Sequence, residues 1–350
     1  MDDNFKFENY FKFSLIEKEM ISYILILKND FLCIGFYSNE IKIYSNINFE
    51  LYIHINAPDW TNNNLDSYRN NNIFIIELKN NYLLNLYNSS DLVLIKINYE
   101  NFDYEQILRI KDINYDYFIQ SVNNNFIYGI NDVSISYIKI LNDFDNKFIF
   151  EVISILSLDY GVEFFYEIPS KKIKEVFIKT LEFSKENINS YFYDSIQFKI
   201  ISTLKDIYIT RNRMRQIDQC PFIYYEKENF LGVLMNHDLI HFIDLKTHLI
   251  VYKYENWATI YPSIVYLYKL NNGKFFIVQY EKYCYGESSY IYLNELIPQN
   301  KNYYNFITTE IKPIYKFDSQ IIFACFSHSE NYFCIRKNND SNNIIIYYKL

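Results

Sequence analysis

The chain has 350 residues, half of them hydrophobic, and a formal net charge of −8. A chain this acidic lacks the basic face that a general nucleic-acid backbone binder needs, and no Gly-, Pro- or Ser-rich linker divides it. Its 37 Tyr and 30 Phe against six Gly and six Pro favour pleated, half-buried strands over helices. With Gly scarce, Asn is expected to take left-handed turn positions, at Asn29, Asn39, Asn80, Asn88, Asn124, Asn131, Asn187, Asn236, Asn271 and Asn338. The surplus of Ile, Asn, Lys, Tyr and Phe is also that of an AT-rich genome.

In chain order, Tyr10-Phe-Lys-Phe-Ser-Leu-Ile16 alternates apolar and polar, yet has no hairpin partner of its own. A unit of four antiparallel strands follows, predicted at Met20 to Lys28, Phe31 to Tyr37, Ile41 to Tyr44 and Leu51 to Ile55. The second unit is predicted at Ile73 to Lys79, Tyr82 to Tyr87, Leu92 to Ile97 and Gln106 to Ile110. The third runs Tyr117 to Val122, Phe126 to Ile130, Val133 to Leu141 and Lys147 to Ile155. The fourth runs Glu163 to Ile168, Val176 to Phe183, Ser195 to Ile201 and Ile207 to Thr210. There Ile173, Val176, Phe177, Thr180 and Leu181 also fit helical spacing, and strand is preferred because the flanking segments are β.

The fifth unit runs Pro221 to Tyr225, Phe230 to Met235, Leu239 to Ile243 and Leu249 to Tyr254. The sixth runs Ser263 to Leu270, Lys274 to Tyr280, Tyr290 to Leu296 and Tyr304 to Ile311. The seventh has Ser319 to Phe326, Tyr332 to Arg336 and Ile344 to Leu350, and lacks a fourth strand. The unpartnered strand at residues 10–16 fits that vacancy, which would close a ring and remove two exposed sheet edges.

Leu239-Ile-His-Phe-Ile-Asp244-Leu-Lys-Thr247 resembles the end of a WD repeat, where an apolar strand is followed by Asp, two residues, and Ser or Thr. Ser38-Asn-Glu-Ile-Lys-Ile-Tyr44 resembles the same stretch with Tyr in the Trp place. Over its whole length the chain resembles a WD40-type seven-bladed β-propeller of four-stranded antiparallel blades. The resemblance implies an all-β fold in one domain, residues 1–350, with the N-terminal strand completing the last blade at 319–350. No Gly-His pair opens a blade and no Trp-Asp dipeptide occurs, so the family's buried His, Ser or Thr, Asp and Trp network does not carry over.

No motif for a catalytic elbow, a phosphate-binding loop, a dinucleotide fold or a zinc protease occurs. The cysteines, Cys33, Cys220, Cys284, Cys325 and Cys334, contain no Cys-x-x-Cys pair and read as small apolar strand residues. Among His54, His237, His241, His248 and His328, only His237 and His241 lie close in sequence. On a strand they would stand roughly 13 Å apart, too far to share a metal. No metal and no cofactor is expected, and Asp112, Asp116, Asp143 and Asp145 read as turn residues.

Three of the six arginines, Arg211, Arg213 and Arg215, fall in Thr210-Arg-Asn-Arg-Met-Arg-Gln216. The resemblance places this segment between blades four and five, on the face WD-type propellers use for binding. Guanidinium forks there suit an acidic or phosphorylated partner. Trp60 and Trp257, each just beyond an outer strand, are candidate partner anchors.

The expected function is a non-catalytic protein-protein interaction scaffold, a subunit of a larger complex that docks a protein or peptide. The alternatives are a propeller enzyme or small-ligand binder using the central channel, and a phosphoinositide or other anionic-headgroup binder using the Arg211 to Arg215 loop. The amino terminus lacks the apolar core of a secretory signal, and apolar runs such as Ile21 to Leu27 are too short to cross a bilayer. A soluble cytoplasmic chain without a transmembrane segment is therefore expected.

Overall fold

The structure is a computed structural model, described for residues 10–59, 73–87, 91–111, 113–121, 126–142, 148–159, 161–170, 174–181, 190–204, 222–225, 229–234, 239–255, 262–271, 275–283, 286–294, 315–338 and 340–349. These residues form strands and turns and fall into two compact units, one of residues 18–206 and one of residues 1–17 with 207–350.

In the unit of residues 18–206, after β1 (Tyr10–Ile16) has been passed, four sheets follow in sequence. The first sheet is β2 (Ile21–Ile26), β3 (Leu32–Phe36), β4 (Ile41–Tyr44) and β5 (Leu51–Ile55). The second is β6 (Ile73–Glu77), β7 (Tyr82–Tyr87), β8 (Asp91–Asn98) and β9 (Asp103–Ile110). The third is β10 (Tyr117–Gln120), β11 (Phe126–Asn131), β12 (Ser134–Asn142) and β13 (Phe148–Ser157). The fourth is β14 (Gly161–Glu167), β15 (Glu175–Leu181), β16 (Ser190–Asp194) and β17 (Ile200–Leu204).

Among the described residues, the other unit holds three sheets. The fifth is β18 (Phe222–Tyr225), β19 (Phe230–Leu234), β20 (Leu239–Asp244) and β21 (Leu249–Glu255). The sixth is β22 (Pro262–Lys269), β23 (Phe275–Tyr283), β24 (Gly286–Asn294) and β25 (Tyr315–Phe317). The seventh is β26 (Ile321–Phe326), β27 (Tyr332–Lys337) and β28 (Asn343–Lys349), and its fourth strand is β1, antiparallel to β28 from Tyr10 opposite Lys349 to Ile16 opposite Asn343.

Every sheet is antiparallel, the first six as meanders and the seventh with β1 added to β28, and the repeats share local devices that composition does not announce. The ladder between third and fourth strands is interrupted at Ile43/Tyr44, Leu94/Ile95, Tyr137/Ile138, Phe192/Tyr193 and Phe242/Ile243. Such bulges increase local twist and bend the outer strand. The following turn is also repeated. Asn98 Oδ1 accepts from the amides of Glu100 and Asn101 at 3.1 and 3.2 Å. Asp194 Oδ1 accepts from those of Ile196 and Gln197 at 3.0 and 2.7 Å. Asp244 Oδ1 accepts from those of Lys246 and Thr247 at 2.7 and 3.2 Å. Four residues after each acceptor, Phe102, Phe198 and His248 sit at φ of 57°, 51° and 53°. Phe49, four after Ser45, does the same at 55°.

This corrects the expectation that Asn carries the left-handed positions. Asn39, Asn80, Asn81 and Asn229 do so, but Asp30, Phe49, Phe102, Phe198, His248 and Glu330 share the role among the described residues. Asn29 and Asn131 act instead through side chains that accept backbone amides, from Phe31 at 3.1 Å and from Val133 and Ser134 at 3.1 and 2.7 Å. Asn271 and Asn338 have ordinary φ, and Asn88, Asn124, Asn187 and Asn236 lie outside the described residues.

The fourth sheet holds a second correction. Its second strand is β, but the expected third strand at Ser195 to Ile201 is instead the Asp194 turn, with β16 before it and β17 after it. The Asp194 carboxylate pulls two amides out of the ladder, which ends the strand. The expected fourth strands at Ile207 to Thr210 and at Tyr304 to Ile311 lie outside the described residues. In the sixth sheet, β25 pairs with Ser289 to Ile291, and buried Phe317 fixes it there.

Aromatic packing between neighbouring sheets builds the core of each unit. Tyr128, Tyr137, Phe165, Tyr193 and Phe198 join the third and fourth sheets. Tyr266, Phe276, Phe317, Phe326, Phe333 and Tyr347 join the sixth and seventh. In the second sheet Asn85 is 0% exposed, opposite Ile75 and Val93, and neither amide atom has a hydrogen-bond partner among the described residues. An unsatisfied buried polar group costs about 1–3 kcal/mol. Asn85→Val is accordingly expected to raise the urea midpoint of unfolding, with a gain of about 1 kcal/mol in unfolding free energy after the change of volume. A lower midpoint would show that the amide is satisfied.

Candidate functional site

In a four-stranded meander, the first-to-second and third-to-fourth turns emerge at the same end of the sheet. In the first two sheets this end carries the best-defined site of the described residues. The β2–β3 turn is fixed by hydrogen bonds from Leu27 N to Phe31 O at 2.9 Å and Asp30 N to Leu27 O at 2.7 Å. The β6–β7 turn places Asn80 and Asn81 at φ of 59° and 64°, the pair of left-handed residues a tight primed hairpin demands. Leu78 N donates to Tyr82 O at 2.7 Å to close it.

These two turns, 49 residues apart in sequence, are tied by the Lys28 amide, which donates to Glu77 Oε2 at 2.6 Å. The Lys28 ammonium donates to Gln120 Oε1 of the third sheet at 3.3 Å. Between the turns lies a cavity of about 420 Å³, lined by Lys28 and Asn29 on one side and by Glu77 to Asn81 on the other. Lys79 is exposed at its rim and makes no ion pair among the described residues. Two lysines against one glutamate give the cavity a positive balance within an acidic chain.

An aromatic wall adjoins it. Phe31 packs edge-on against Tyr52 and Tyr99, with centroids 4.9 and 5.4 Å away, and Tyr52 against Phe102 at 4.6 Å. The Tyr52 hydroxyl donates to Tyr99 O at 2.7 Å, and Asn46 Nδ2 to Asn29 O at 3.1 Å. Burial, then the neighbouring Glu77 carboxylate, push the Tyr99 hydroxyl well above its ordinary pKa, so it stays neutral. Phe102 is 60% exposed, and Ile47 and Leu51 of the same end are exposed as well. The combination is a cleft of amides and lysines beside exposed aromatic and aliphatic groups.

A second polar group joins the third and fourth sheets and is structural. Glu167 Oε1 accepts from Ser121 Oγ at 3.0 Å and from the Tyr128 hydroxyl at 3.1 Å, and Ser195 O also lies 3.2 Å from that hydroxyl. No group of three or more His, Cys, Asp or Glu side chains with metal-binding geometry occurs among the described residues. His54 bonds Glu40 at 3.0 Å, and His241 is a buried residue of β20. His237 lies outside the described residues, as do Asp112, Asp143 and Asp145.

Arg211, Arg213, Arg215, Trp60 and Trp257 all lie outside the described residues. The turn-end cleft was not anticipated from the sequence. Its local signal is Leu78-Lys-Asn-Asn-Tyr82, a primed turn beside a lysine, but nothing in the sequence pairs Lys28 with Glu77. Among the described residues, no helix is long and apolar enough to cross a membrane.

No protein-family profile matches the sequence, and no curated protein sequence does. Solved structures do match. The β-propeller domain of Cps50 (Swd1) from Myceliophteria thermophila aligns with a TM-score of 0.63 at 9% identity, covering 97% of this chain and 100% of that one. The WD40 domain of SCAP from fission yeast aligns with a TM-score of 0.54 at 10% identity, covering 100% of this chain and 90% of that one. With its repeated four-stranded antiparallel sheets, the chain has the fold of a WD40-like β-propeller.

Proposed function

We propose that the chain is a non-catalytic interaction scaffold in which seven blades form one ring, the N-terminal strand supplies the last blade's fourth strand, and the turns dock a protein partner. The propeller fold supports it, since rigid sheets present loops at little ordering cost on binding. The observation that carries it is the turn end of the first two sheets, where a hydrogen-bonded frame presents lysines and amides beside exposed Phe102, Ile47 and Leu51. Side-chain amides match a peptide backbone, the lysines match a carboxylate, and Phe102 matches an apolar side chain. The partner is an extended peptide or loop with an acidic residue beside an apolar one, and the chain is a subunit of a larger complex. Acting in the cytoplasm fits this reading.

Affinity purification of the intact chain from its native cell, compared with Lys28→Glu/Lys79→Glu, tests the proposal. The double variant is expected to lose at least about tenfold of one stoichiometric partner while its thermal unfolding stays unchanged, as two reversed charges cost about 1.4 kcal/mol or more. An unchanged partner profile contradicts it. A parallel Arg211→Glu/Arg213→Glu/Arg215→Glu variant assigns the partner to that loop instead if it alone loses the partner.

A further inference from the structure

Cys325 of β26 stands directly opposite Cys334 of β27, and their sulfurs are 3.0 Å apart. Five cysteines occur in the whole chain, and the fold sets two of them side by side on adjacent antiparallel strands. Directly opposed residues in such a ladder have Cα atoms about 4.5–5.5 Å apart, inside the span a disulfide bridges. Side-chain rotation alone can therefore bring the sulfurs together, with the backbone staying in register. The two differ in access: Cys334 is fully buried, whereas Cys325 is partly exposed where it packs against the core of the sixth and seventh sheets. That asymmetry is what a two-cysteine redox site needs, one sulfur to meet the oxidant and one to resolve the product.

We propose that Cys325 and Cys334 form a peroxide-sensitive dithiol that closes to a cross-strand disulfide. The Cys325 thiolate attacks one oxygen of hydrogen peroxide, the O–O bond breaks, and Cys325 becomes a sulfenic acid as hydroxide leaves. The Cys334 sulfur then attacks the sulfenic sulfur, the S–O bond breaks, and the S–S bond forms as the oxygen leaves as water. Two thiols and one peroxide give one disulfide and two waters. The bond staples β26 to β27 within the sheet that also holds β28 and β1, so its state sets how firmly that sheet resists opening.

Full-length chain is treated with hydrogen peroxide, alkylated with N-ethylmaleimide and mapped by mass spectrometry. The expected product is an unalkylated 325–334 cross-linked peptide, lighter by about 2 Da and restored by dithiothreitol. Cys33, 0% exposed, serves as a control expected to stay reduced. In Cys334→Ser, the expected product is a Cys325 sulfenic acid trapped by dimedone; without trapping, dithiothreitol-reversible linkage of these positions is lost. Complete alkylation of both cysteines after peroxide overturns the proposal, and so does oxidation of Cys325 in the wild type to sulfinic acid without the cross-link.

Discussion

Removing residues 1–18 is expected to destabilise the chain by about 5 kcal/mol and to make it prone to associate. Seven residues of β1 pair with β28, and Glu17 N adds a bond to Asn342 O at 2.8 Å. Leu15 is buried at 9% exposure within this contact. Ladder hydrogen bonds contribute about 0.5–1.5 kcal/mol each and a buried leucine about 2 kcal/mol, so the sum exceeds that of any single side chain. The deletion also turns β28 into an open edge carrying Ile344, Ile345 and Ile346, a template for pairing with another chain. Urea unfolding checks the energy, and light scattering checks the association. An unaltered midpoint would mean that β1 contributes nothing to the last sheet.

Tyr128→Ala is the substitution with the largest expected single-residue effect, a loss of about 3–5 kcal/mol. The side chain is 0% exposed and its ring packs against Phe165 and Tyr137, with centroids at 4.6 and 4.9 Å. Its hydroxyl reaches Glu167 of the next sheet, so one residue supplies both packing and polar connection. Burial, then the adjacent Glu167 carboxylate, raise the hydroxyl's pKa well above its ordinary value, which favours its protonated, donating form. Tyr128→Phe keeps the ring and is expected to lose about 1–3 kcal/mol, leaving Glu167 Oε1 with only the Ser121 hydroxyl of this pair. A neutral Tyr128→Phe would show that the hydroxyl is not engaged with Glu167. The pair of variants separates packing from hydrogen bonding at the junction of the third and fourth sheets.

Most of the fold was legible because alternation of apolar and polar residues reports strand faces directly. The first sheet shows it best, where Ile41-Lys-Ile-Tyr44 and Leu51-Tyr-Ile-His-Ile55 were placed at their observed bounds. What alternation cannot report is a side chain that competes with the ladder. Ser195 to Ile201 read as a strand, but the Asp194 carboxylate captures the amides of Ile196 and Gln197 there and makes a turn between β16 and β17. The recurrence of Ser45, Asn98, Asp194 and Asp244, each four residues before a Phe or His, was available in the sequence and would have corrected that register. Phe49, Phe102 and Phe198 were hidden because bulky residues rarely adopt positive φ.

The site was less legible than the fold. The cleft joins turns from different sheets, and the Lys28 to Glu77 bond depends on which turns become neighbours. Arg211, Arg213, Arg215, Trp60 and Trp257 stand out by composition and lie outside the described residues, whereas the cleft uses Lys and Asn, the commonplace residues of this chain. The Cys325 and Cys334 pair could have been read from hairpin symmetry, since both flank the 327–331 turn, but only with the register known.

Cross-linking mass spectrometry of the native complex with an amine-reactive reagent tests the scaffold account most directly. Lys28 and Lys79 are both exposed and lie at the cleft. The account predicts cross-links from these two lysines to a single partner segment, lost when a peptide of that segment is added in excess. Cross-links to the partner confined to lysines of other turns and outer strands, with Lys28 and Lys79 modified only by hydrolysed reagent, would contradict it.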